Sequence, residues 1–96
     1  MIDKYVIVRC RDAGVHAGVL VSRTSRECEL TEARRLWSWR VPDGHDFLSG
    51  IAIHGLHSDS KLGEPIHIIL TENCEIIECT PEAEKSIRNF KSHNGK

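Results

Sequence analysis

Aromatic residues are scarce: two Trp, two Phe and one Tyr among 96 positions. A core cannot be built from so few rings, so it must be mainly aliphatic. Long apolar runs are missing as well, and nothing approaches the ~18 residues of a membrane span. Met1-Ile2-Asp3-Lys4 lacks the charged, apolar and small-residue segments of a secretion signal. The four cysteines, Cys10, Cys28, Cys74 and Cys79, contain no Cys-x-x-Cys pair. They read as reduced, buried thiols of a cytoplasmic chain. Excess charge is absent too: the formal net charge is −1. That balance argues against nucleic acid as a partner, because counterion release needs a net basic surface.

The chemical signatures are equally thin. Neither a Walker loop nor Gly-x-Gly-x-x-Gly occurs, so a bound nucleotide would be held by side chains. No Gly-x-Ser-x-Gly elbow is present. His54-x-x-His57, with His45 nearby, has no cysteine pair or acidic partner to complete a zinc set. The expectation is a binding protein and not an enzyme, with no catalytic residue, no metal ligand and no cofactor.

What is present is concentrated. Ala33-Arg34-Arg35-Leu36-Trp37-Ser38-Trp39-Arg40 holds both tryptophans and three arginines in eight residues. As a strand, its period of two sends Arg35, Trp37 and Trp39 to one face and Arg34, Leu36, Ser38 and Arg40 to the other. Indoles beside a guanidinium can stack on a base and pair with a phosphate. The same residues can equally form the core or a subunit interface of a small domain.

Along the chain, Tyr5–Cys10 is apolar on both faces and predicts a central strand. Val15–Val21 predicts a second, with Gly18 marking a bulge or a close approach. Glu27–Thr31 alternates as a third, and the Trp-rich run is a fourth, stopped by Pro42-Asp43-Gly44. Phe47, Leu48, Ile51, Ala52 and Leu56 recur at helical spacing, with Asp43 or Asp46 as candidate N-caps. Ile66–Leu70 and Cys74–Glu78 predict two strands joined as a hairpin through Thr71-Glu72-Asn73. Thr80-Pro81-Glu82 opens a helix whose stripe is Ala83, Ile87 and Phe90. The expected fold is α+β: a small, strongly bent antiparallel β-sheet or partial barrel of about six strands with two helices, in the order β-β-β-β-α-β-β-α. Residues 1–91 make one domain and 92–96 a polar flexible tail. A chain this short often completes its burial by self-association, so a homo-oligomer is expected.

Arg9, Ala13-Gly14-Val15-His16 with Gly18 and Leu20, the run Ala33–Trp39, and Leu70-Thr71-Glu72 with Ile76-Ile77 together resemble a family of small phage and prophage proteins. That family is described only as a domain of unknown function. Phe47–Ala52 followed by Gly55, and Ala83 with Ser86-Ile87, fit the same pattern, which covers most of residues 5 to 88. The resemblance implies a phage accessory protein in the host bacterial cytoplasm and carries no active-site assignment. By analogy of class, it suggests a homo-oligomer that antagonises host immunity by sequestering a small nucleotide-type messenger without cleavage. The candidate ligand-binding residues are Arg9, His16, Gly18, Arg34, Arg35, Trp37 and Trp39. The rivals are inhibition of a host protein through a Trp/Arg surface, or a small nucleic-acid-binding barrel.

Overall fold

The computed structural model describes residues 1–39 and 47–93. Its elements are β1 (Tyr5–Cys10), β2 (Gly14–Arg23), β3 (Cys28–Ser38), α1 (Leu48–His54), β4 (Lys61–Leu62), β5 (Ile66–Leu70), β6 (Asn73–Glu78) and α2 (Pro81–Arg88). One antiparallel sheet runs β4-β3-β2-β1-β6, and β5 also pairs with β3. β3 is long enough to carry two neighbours on one edge: β5 lies along Cys28–Ala33, and β4 meets Leu36 and Ser38. None of the described helices is long and apolar enough to cross a membrane.

The fold is the expected bent α+β sheet with two helices, and it differs in three places. The expected third and fourth strands are one strand, β3 (Cys28–Ser38), instead of two. Between the pairs Ala17↔Arg34 and Val19↔Thr31, β3 carries one residue more than β2, and Glu32 takes φ 54°. This bulge bends the strand without ending it. It also reverses the facing of everything after it, so Cys28, Leu30 and then Ala33 all point to the same core. Gly18 sits opposite: a Cβ there would lie 2.9 Å from Ala33 Cα and 3.0 Å from Thr31 O.

The second difference is that β5 and β6 do not form a hairpin. β5 lies on the edge of β3 and β6 on the edge of β1, so the intervening turn crosses an end of the curled sheet. Glu72, at φ 56°, accepts from Arg11 N through its carbonyl, while Asn73 N donates to Arg26 O. The third is β4, which falls within the expected loop 57–63. The proposed stop at Pro42-Asp43-Gly44 and the cap candidates Asp43 and Asp46 lie outside the described residues.

Two aliphatic cores follow from the alternation of β1. Tyr5 and Ile7 join Val15, Ala17, Leu36, Leu62 and the helix residues Ile51, Ala52 and Ile87. Val6, Val8 and Cys10 join Leu20, Leu30 and Leu70 inside the curl. α2 is capped as its sequence dictates, with Thr80 Oγ1 accepting from Ala83 N at 3.1 Å and Pro81 at the first position. Ala83 and Ile87 are fully buried, and Phe90 packs beside them.

Candidate functional site

Arg34 is 2% exposed and faces the helix-side core with Leu36. Its Nε donates to Gly63 O at 2.9 Å, Nη1 donates to Ile87 O and Phe90 O at 2.7 Å each, and Nη2 donates to Ser92 Oγ at 3.1 Å. A guanidinium at the end of α2 meets the last carbonyls of the helix and the negative end of its dipole. Burial lowers its pKa below the usual guanidinium range, opposed by Tyr5, but an arginine stays charged in a protein. In the sequence Arg34 is a candidate partner for a phosphate. The fold commits it to fastening α2 and the residues after it onto the sheet.

Arg35 and Trp37 point the other way. The Arg35 side chain is exposed and has neither a hydrogen bond nor an ion pair among the described residues. Trp37 is 52% exposed. Lys61 Nζ lies 5.1 Å from the centroid of its ring, and the His93 ring lies 4.9 Å away at an interplanar angle of 54°. Trp39 does not share this face. A register shift between Leu36 and Ser38, opposite β4, breaks the alternation, and Trp39 packs against the helix-side core. The two-tryptophan face expected from strict alternation is therefore a face of one tryptophan.

The remaining candidates divide between the two sides of the sheet. His16 is paired in register with Arg35 and with Val8, on the inner face. It is 1% exposed, and its Nε2–H donates to Ala13 O at 2.9 Å. Gly18 is buried against the β3 bulge and provides backbone clearance. Arg9 lies on the opposite face by alternation, where its Nε is 3.4 Å from Glu75 Oε1. The structure brings together His16, Arg35 and Trp37; Arg9, Gly18, Arg34 and Trp39 lie elsewhere. Lys61 and His93 join Trp37 without having been singled out in the sequence. They come from β4 and from the segment after α2, and only pairing across the sheet edge places them.

Burial lowers the His16 pKa, the Ala13 carbonyl opposes this, and the Arg35 charge adds to the lowering. Below about pH 6.5 the unfolded chain binds a proton that native His16 resists, so this residue makes stability fall as pH drops. Replacement by Gln, which keeps a donor for Ala13 O, should reduce the loss of Tm between pH 7.5 and 5. Equal losses in the two proteins would show that His16 titrates alike in both states.

Glu29 takes Ser22 Oγ–H at 3.3 Å and His67 Nε2 at 2.6 Å. Both groups sit on the carboxylate, so the imidazole is not placed to deprotonate the hydroxyl. Cys10 Sγ–H donates to Asn73 Oδ1 at 3.3 Å. Burial raises the Cys10 and Cys28 pKa values and pushes Cys79 up to about 12, which keeps these thiols protonated. Two open clefts, of about 240 and 180 Å³, flank Arg23 and Thr24 at the end of β3 away from Trp37.

Together these features define a small α+β domain whose curled, unclosed sheet presents one indole among cationic side chains. The chain belongs to the family described as a domain of unknown function, DUF6948, whose model matches residues 3–87. No curated protein and no solved structure matches it.

Proposed function

We propose that this protein is a phage-encoded accessory factor of the host bacterial cytoplasm. In this reading it binds a small nucleotide-type immune messenger, a cyclic oligonucleotide or a cyclic ADP-ribose variant, and holds it uncleaved. One observation carries the reading: a half-exposed indole stands two residues from a guanidinium that has no partner of its own among the described residues. A base stacks on Trp37 while Arg35 and Lys61 take its phosphates. His16, buried beside Arg35, adds a neutral wall.

One stack and two charge-assisted bonds are together worth about 4–9 kcal/mol, which spans millimolar to sub-micromolar binding. Tight retention therefore calls for a second copy closing on the ligand. Ile66 and Ile69 on the edge strand β5 are 53% and 62% exposed and supply apolar surface for such a homo-oligomer. The test is a thermal-shift screen against cyclic di- and trinucleotides, cyclic ADP-ribose isomers and linear controls, with the compound recovered after heating. A large shift with intact recovery is expected, and Trp37→Ala or Arg35→Ala should abolish it while leaving the fold and oligomer unchanged. Binding unaltered in both variants would overturn the site, and cleaved product would make the protein an enzyme.

The openness of the Trp37 face favours a second reading, inhibition of a host protein, since Trp and Arg dominate interface energetics. No shift across the panel, with one stoichiometric host protein retained from lysate through Trp37, would favour that reading.

A further inference from the structure

The described residues beyond α2, 89–93, stay on the domain. Ser92 forms a parallel bridge with Leu62, and His93 N donates to Leu62 O at 2.7 Å. Arg34 fixes the same stretch from below through Phe90 O and Ser92 Oγ. The segment thus has backbone attachments to β4 and a guanidinium anchor in the core. Its last described side chain, His93, reaches the Trp37 ring. Lys61, at the start of β4, reaches the same ring.

A stacking residue that served only as a greasy platform would need no such arrangement. Here two nitrogen-bearing side chains are brought to one indole by two different segments, and one of those segments is tied down by a buried charge. The number and strength of its ties make it a wall and not a lid. We propose that residues 91–93 are a fixed strap that completes the Trp37 site, with His93 and Lys61 forming a phosphate-binding corner for a nucleotide whose base lies on Trp37. This rests on the nucleotide reading above and adds the part of the ligand that the strap recognises, a phosphate. Recognition at such a corner depends on donors at a set position, so displacing the strap loses affinity even with Trp37 and Arg35 intact.

The test has two arms on the full chain. In the first, Trp39→Phe leaves Trp37 as the sole indole, and acrylamide quenching of its emission is measured with and without His93→Ala. The strap predicts increased quenching when His93 is removed; unchanged quenching would show that the strap does not cover the indole and would overturn the inference. In the second arm, cyclic di-AMP, AMP and adenosine are titrated against the parent, His93→Ala and Lys61→Ala proteins. Each substitution should weaken the phosphorylated ligands by about tenfold or more and leave adenosine unaffected. Equal weakening of adenosine, or no weakening at all, would overturn the phosphate corner. If Trp37→Ala lowers binding but His93→Ala does not, the strap fails while the site stands. If neither phosphorylated ligand binds, or Trp37→Ala leaves binding unchanged, the nucleotide reading itself fails.

Discussion

Arg34→Ala should destabilise the protein by about 3–5 kcal/mol, far more than loss of a surface arginine. The side chain joins the β4 approach, the end of α2 and the strap through Gly63 O, Ile87 O, Phe90 O and Ser92 Oγ. Hydrogen bonds from a charged donor are worth about 1.5–3 kcal/mol each, and their loss leaves interior carbonyls with fewer partners. Water entering the space left by the guanidinium offsets part of this, which places the total below the simple sum. For a domain of this size each kcal/mol moves Tm by roughly 4–8 °C, so a fall of about 15–30 °C is expected. Arg34→Lys should recover a minor share, because an ammonium cannot span the same set of acceptors. Thermal melts of the three proteins decide the matter. A loss under about 1 kcal/mol would mean that the interior contacts contribute little, and would return Arg34 to consideration as a ligand-binding residue.

The contrast between Arg34 and Arg35 shows how far the sequence could be read. Alternation placed Arg34 with Leu36 and Arg35 with Trp37, and both pairings are found. The signal that Arg34 is interior was already present in the apolar character of Leu36 on its face. That signal is weak because arginine is so seldom buried without a carboxylate partner. The cap and stripe of α2 were legible for a different reason: Thr80, Pro81, Ala83 and Ile87 act within a few residues of one another. Gly18 was legible as a close approach, since a glycine inside a β-branched strand has few other uses. Trp39 was not, because its facing depends on a register shift against β4, a two-residue strand with no period of its own. The separation of β5 from β6 was equally hidden. A short turn between two strands reads as a hairpin unless the neighbours competing for each edge are known, and those neighbours, β3 and β1, lie more than thirty residues upstream. Lys61 and His93 entered the site by the same long-range route.

Gly55→Ala should cost about 4 kcal/mol through two separable effects, backbone strain and overpacking. Gly55 ends α1 with φ 83° and ψ −156°, a region open essentially to glycine alone. An added Cβ would also lie 2.6 Å from both Cβ and Oγ of Ser86 on α2. This near-contact is how the two helices share a face. Gly55 N closes α1 by donating to Ile51 O at 2.9 Å, and the next amide, Leu56 N, donates to Ser86 Oγ at 3.0 Å. Leu56 is thereby delivered to the helix-side core with its amide satisfied. A methyl group at residue 55 must push α2 away or twist the chain out of reach of the hydroxyl. Either movement disturbs Ile87, which is fully buried, and the carbonyls that Arg34 holds. The two effects separate in a double-mutant cycle with Ser86→Gly, which removes the clashing side chain and leaves the strained backbone untouched. The double variant should be less destabilised than the sum of the single ones by about 1–3 kcal/mol, the steric share of the cost. Additive losses would assign the whole effect to backbone strain, whereas a neutral Gly55→Ala would mean that α1 and α2 can separate freely. Chemical denaturation of the four proteins reads the cycle directly, because the midpoint shifts with stability at constant slope.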